Sequence, residues 1–159
     1  MVYYLSYGSN MFEQRFLNYI LGGVLQGSTI YNPGCTFRKP PVHSLPVLVN
    51  RNMYFARFGN TWNGAPAFLD INTQPIDLQF LVGNEIRDRF SDMKKKFLTD
   101  ETSGLSLCRM YLITESQYAD VVAQENFGDP LNFDLASFTK GPPKIQKVFD
   151  AYYGDLIYL

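Results

Sequence analysis

The sequence predicts an α+β domain built largely from short strands, on three observations. Aromatic residues make up 16% of the chain, with eleven Tyr and thirteen Phe, so large rings must be buried and many phenol hydroxyls partnered. Short apolar runs suited to strands recur along the chain, separated by turn-forming Gly, Pro and Asn. Other segments carry apolar residues three to four apart, the spacing of an amphipathic helix. At 159 residues the chain is sized for one domain with a real core, spanning 1–159.

Taken in order, Val2 to Ser6 reads as a short buried strand. Met11, Phe12, Arg15, Phe16, Tyr19 and Ile20 follow at helical spacing, and Gly22-Gly23 supplies a stop. Ser28 to Phe37 is strand-like, and "RKPPVHSLP" is a proline-rich loop unable to continue it. Asn52 to Phe58 and Ala65 to Ile71 predict a hairpin around the turn-like "GNTWNG". A charged stretch over about 75–104 carries Ile86, Phe90, Met93 and Phe97 at helical spacing, which predicts an amphipathic surface helix as an insert. Leu105 to Ile113 returns to a strand, and Thr114 opens a run of helix formers. Two last strands are expected near Lys144 to Phe149 and Asp155 to Leu159. The closing "DLIYL" implies either a strand held by its neighbours or a chain truncated from a longer one, because termini ordinarily lie exposed.

Charge narrows the partners. With 14 basic and 15 acidic residues and a formal charge of -1, no global field would draw nucleic acid or an anionic membrane, so a small molecule is the expected ligand. Met1 to Leu5 lacks the basic start and apolar core of a secretory signal, and no apolar stretch approaches the roughly 20 residues of a membrane span. A cytoplasmic protein is expected. Cys35 and Cys108 lack CxxC spacing and read as two reduced thiols. Oligomeric state is open.

Few residues offer chemistry. One His and two isolated Cys make no metal-ligand cluster, so no metal and no cofactor is expected. Ser9 lies at a sharp strand-to-helix junction, but GxSxG is absent and His43 is the one histidine that could act as its base. "KKK" at 94–96 has acidic neighbours and reads as a solvated helix face. The stretch "YLSYGSNMF" raises a choice between a plain turn with an Asn cap and a pocket whose backbone N–H groups face a ligand. Glu125, after an amphipathic segment, is a carboxylate that apolar walls could tune for proton transfer.

Together, Tyr7-Gly8-Ser9-Asn10-Met11 near the N-terminus, "TWNGAPAFLD" with Trp62, Gly64 and Ala67, and the strand-helix-glutamate run "RMYLITESQYADVVAQEN" resemble the gamma-glutamylcyclotransferase-like family, from residue 4 to about 127. The resemblance implies a small mixed β-barrel or strongly curved sheet with peripheral helices. It also implies a metal-free reaction in which a gamma-glutamyl group cyclises to 5-oxoproline and releases its amine. By the same resemblance Glu125 falls on the catalytic general acid/base. Tyr7, Gly8, Ser9, Asn10, Met11 and Trp62 fall on the substrate-binding positions. Where the family often shows Leu-Asp-x-x-Glu-Gly, this chain has Val121-Val122-Ala123-Gln124-Glu125-Asn126. The alternative is a binding module that keeps the pocket without turnover.

Overall fold

Apolar spacing and turn chemistry decide where the elements fall. A computed structural model describes residues 1–25, 27–58, 64–70, 78–80, 104–126, 134–142, 144–147 and 155–158. Its elements are β1 (Val2–Ser6), a 3-10 turn (Ser9–Met11), α1 (Glu13–Leu21), β2 (Gly23–Val24), β3 (Tyr31–Asn32), β4 (Ser44–Val49), β5 (Met53–Phe55) and β6 (Ala67–Leu69). They continue with β7 (Leu78–Phe80), β8 (Ser106–Ile113), α2 (Glu115–Glu125), α3 (Leu135–Phe138), β9 (Lys144–Lys147) and β10 (Asp155–Tyr158). The class is α+β. A four-stranded sheet has the order β1-β8-β4-β7, and three two-stranded pairs are β2 with β3, β5 with β6, and β9 with β10. Among the described residues no sheet closes into a barrel, so the barrel half of the expected architecture is not what these strands form.

The chain groups into two compact units. One holds Met1–Tyr4, Phe12–Val42 and Leu112–Leu159; the other holds Leu5–Met11 and His43–Tyr111. In the first, α1 turns Phe16 and Ile20, four residues apart, into the core and packs against α2. Helix α2 begins at a capping box: the Thr114 hydroxyl accepts the Gln117 N–H at 3.1 Å, and Gln117 Oε1 accepts the Thr114 N–H at 3.0 Å. Gln117 Nε2 also donates to the carbonyls of Phe37 and Lys39, so this buried amide is fully used in tying a loop to the helix.

The strand expected over residues 28–37 shrinks to Tyr31–Asn32, which pairs with Gly23–Val24. The reason is local. Pro33 and Gly34, the latter at φ 81, turn the chain, and a Cβ on Gly34 would lie 2.8 Å from the Gly22 nitrogen. Cys35 N–H then donates to Ile20 C=O, and Thr36 N–H to Asp120 Oδ2, instead of to a neighbouring strand.

In the second unit, alternate residues of β4 and β8 meet on one face. Val47 lies opposite Cys108 and Leu45 opposite Met110. Val47, Val49, Cys108 and Met110 form a buried cluster, with Leu5, Tyr7, Leu69 and Leu78 packed on it. Each fully buried valine of this kind contributes about 1.5–3 kcal/mol. The proline-rich loop ends earlier than expected, because β4 runs through Pro46. β7 pairs with Val47 to Val49, so among the described residues Pro46 has no partner on that side and its missing N–H is tolerated. The predicted hairpin forms as β5 and β6, Met53 opposite Leu69. Leu78–Phe80, near the start of the charged insert, is a strand; the amphipathic helix expected after it lies outside the described residues.

Candidate active site

The residues singled out by sequence divide between the two units. Glu125 closes α2 in the first. Tyr7, Gly8, Ser9, Asn10 and Met11 lie in the second. Trp62 lies outside the described residues.

Glu125 is half-buried and surrounded by phenols. The Tyr4 hydroxyl, from β1, donates to Glu125 Oε1 at 2.8 Å. The Tyr4 ring stacks on Phe16 with centroids 5.0 Å apart and meets Tyr118 edge-on at 6.1 Å. Tyr118 and Glu125 are seven residues apart on α2, two turns, and so share a helix face. Burial first, and the negative charge of Glu125 second, push the Tyr118 phenol up to about 12. Burial and then Glu125 also raise Tyr19, against the lowering effect of Arg15. These phenols therefore stay protonated near neutrality, so the carboxylate sits against neutral donors and aromatic faces. Sequence reading missed Tyr4, Tyr19 and Tyr118. The seven-residue step from Tyr118 to Glu125 was the available signal.

The neighbours of Glu125 are committed to structure. Gln124 Nε2 donates to the Tyr19 carbonyl at 3.0 Å. Asn126 is the C-cap residue, and its Nδ2 returns to Val122 C=O at 2.8 Å. Its φ of -103 needs no glycine, which explains how an Asn can end this helix.

In the second unit the loop after β1 makes one 3-10 turn, closed by Met11 N–H donating to Gly8 C=O at 3.0 Å. Met11's N–H is thereby consumed within the loop and drops out as a ligand donor. The N–H groups of Gly8 and Ser9 have no acceptor within the described chain. The fully buried Tyr111 donates its hydroxyl to Asn10 C=O at 2.9 Å, which fixes the turn. Asn10 is buried but is not the helix cap; Phe12 occupies that position, without a side-chain cap bond. Tyr7 packs its ring on the β4–β8 cluster. Gly8 has no left-handed φ, and a Cβ there would meet only Ala67 Cβ, at an ordinary 3.5 Å. The fold does not require glycine at position 8.

Other chemistries find less. No hydrogen bond joins Ser9 to His43, both exposed. Cys35 and Cys108 are free and buried, and desolvation is the main cause that pushes each thiol up to about 12, far from a reactive thiolate. Among the described residues no three His, Cys, Asp or Glu side chains come together as a metal site. No described helix is long and apolar enough to cross a membrane.

No protein-family model and no solved structure matches the chain. Its sequence is similar to that of histone deacetylase 5 of Arabidopsis thaliana, 29% identical over 167 residues, covering 99% of this chain and 21% of that protein. The chain thus spans about a fifth of the length of the curated relative it matches.

Proposed function

We propose that this chain is a cytoplasmic gamma-glutamylcyclotransferase-type enzyme, with a strongly curved sheet of that family's kind, that converts a gamma-glutamyl amine or amino acid to 5-oxoproline. The observation that carries the reading is Glu125 itself: a half-buried carboxylate held at 2.8 Å by a tyrosine of β1, the strand that leads directly into Tyr7-Gly8-Ser9-Asn10. A carboxylate oriented by one hydrogen bond among neutral phenols has the fixed position and low-polarity surroundings that proton transfer needs.

In the reaction, Glu125 removes a proton from the substrate's alpha-ammonium. The freed lone pair attacks the side-chain carbonyl carbon, forming the ring C–N bond and an oxyanion. Glu125 hands that proton to the leaving nitrogen, collapse of the oxyanion breaks the bond to it, and the second proton of the ring nitrogen passes by the same carboxylate to the released amine, so the lactam forms neutral and the amine departs as ammonium. Both reacting groups are tethered in one substrate, so holding the folded conformer supplies much of the rate gain. Backbone N–H groups of Gly8 and Ser9 are suited to an oxyanion or carboxylate, and a glycine that the fold does not require leaves room for such an approach.

A non-catalytic binding module is the second reading, favoured by Val122 and Asn126. They stand where the family often has an acidic residue and a glycine; Val122 is buried, and the Asn126 amide donates back to the Val122 carbonyl. A match to about a fifth of a longer protein is also compatible with a module. The deciding experiment follows 5-oxoproline release and calorimetric binding for a panel of gamma-glutamyl amines, in the parent and in Glu125→Gln. Turnover lost with binding kept supports the enzyme. Binding without turnover in either form supports the module, and no binding by the parent rejects both.

A further inference from the structure

The turn between β4 and β5, "VNRNM", holds a charge that the reaction above does not use. Arg51 is only 6% exposed. Its Nη1 donates to the Asn50 carbonyl at 2.7 Å and to Asn50 Oδ1 at 3.1 Å. Its Nε and Nη2 are buried and have no hydrogen-bond partner among the described residues. No carboxylate among the described residues forms an ion pair with it. A guanidinium out of water with three of its five N–H donors unused carries a desolvation cost of several kcal/mol, which native proteins rarely leave uncompensated.

The unused donors are not a random pair. Nε–H and the adjacent Nη2–H point the same way and form the side-on edge of the guanidinium, the edge that takes two oxygens of one anion through parallel hydrogen bonds. The remaining edge is fixed by Asn50. The backbone beneath is also held: Arg51 N–H donates to Val49 C=O at 2.8 Å, and the buried Ser106 hydroxyl donates to Arg51 C=O at 2.6 Å. On the far side of the arginine, Asp70 N–H donates to Asn52 C=O at 2.9 Å, and Asn52 Oδ1 accepts Gly104 N–H at 2.6 Å. The side chain is thus presented from a turn tied to both β6 and β8, so little order remains to be imposed on binding.

We propose that Arg51 is a binding site for a small-molecule carboxylate, held bidentately by Nε and Nη2. One guanidinium supplies one positive charge, which neutralises a carboxylate and would leave a phosphate dianion with a buried excess charge. The assignment does not depend on the cyclotransferase reading, because that reading gives no role to Arg51, Asn50 or Ser106.

The test is an NMR titration of the full chain with acetate, against chloride at equal ionic strength, following the Arg51 Nε–H resonance. A saturable shift with acetate and none with chloride is expected. Arg51→Lys keeps the charge but loses the side-on edge, so acetate binding, read by thermal stabilisation, should weaken by about 10- to 100-fold, the loss of a charge-assisted hydrogen bond. An Nε–H resonance unmoved by acetate overturns the proposal, as does an Arg51→Lys protein that binds acetate like the parent. Inorganic phosphate is the second arm: an Arg51-dependent shift at lower phosphate than acetate concentration overturns the carboxylate assignment. Because the resonance is read in the parent protein, a variant that fails to fold leaves the test intact.

Discussion

Glu125 and Arg51 are both charges withdrawn from water, the first in part and the second almost wholly, and they are treated in opposite ways. Glu125 is half-buried and has a tyrosine hydroxyl at 2.8 Å, with further phenols around it. Arg51 is more deeply buried, yet one full edge of its guanidinium has no partner. The first arrangement fixes a carboxylate in place, as the proposed proton transfer needs. The second leaves donors unfilled among the described residues, as the proposed carboxylate site needs. The difference shows that burial alone does not mark a functional charge; what matters is which hydrogen-bonding positions the protein fills and which it leaves.

The comparison breaks first at turnover. Glu125→Gln should keep the fold and reduce 5-oxoproline formation by about 10²- to 10⁴-fold, the loss of a general acid/base. If the glutamine form is as active as the parent, Glu125 is not the proton carrier, and the contrast loses its catalytic half.

The next effect is electrostatic and pH-dependent. Tyr118 ionises near 12 in the folded protein against 10.0 ordinarily, so the folded state holds its proton over a window in which the unfolded chain releases it. Its contribution is therefore complete below pH 10 and is lost as pH rises toward 12, at up to about 1.4 kcal/mol per pH unit. Ultraviolet titration of the phenol should show Glu125→Gln lowering the Tyr118 value only part-way, since burial is the larger cause. A value identical in parent and variant would mean that the carboxylate's charge does not reach the ring.

Denaturant titrations distinguish a partnered from an unpartnered charge. Tyr4→Phe removes the donor to Glu125 and should destabilise by about 1–2 kcal/mol. Arg51→Met, assayed without carboxylates, should be nearly neutral or stabilising, because it removes a buried charge that lacks a counterion among the described residues. A strong destabilisation by Arg51→Met would show that the guanidinium is already compensated.

The smallest effects fall on the loop. Gly8→Ala should change stability by no more than about 0.5 kcal/mol, since the added methyl meets only Ala67 at 3.5 Å, while weakening binding of gamma-glutamyl ligands. Equal affinity would place the ligand elsewhere. Ser9→Ala should leave both folding and turnover close to the parent, because the exposed hydroxyl makes no bond to His43. Covalent labelling of Ser9 by a serine-directed probe would contradict that.

What the sequence determined by itself is what neighbouring residues decide. Thr114 and Gln117, three apart, set the start of α2; Gly22 stops α1; and the turn-rich stretch after Phe58 separates the paired strands β5 and β6. The motif at Tyr7 to Met11 and the glutamate at 125 were legible because they are short, local patterns. What tertiary structure decided were choices among distant partners. β4 continues through Pro46 because β8 supplies its ladder, with Arg109 opposite Pro46, a fact absent from the proline-rich stretch itself. Residues 33–37 satisfy their backbone from α1 and α2 instead of from a strand. Tyr4 meets Glu125 across 121 residues of sequence, and Arg51, an ordinary turn residue by composition, is buried with an edge unfilled. Local patterns fix backbone conformation through short-range sterics and capping bonds; which side chains then lose water, and which find partners, is set by contacts that no window of sequence contains.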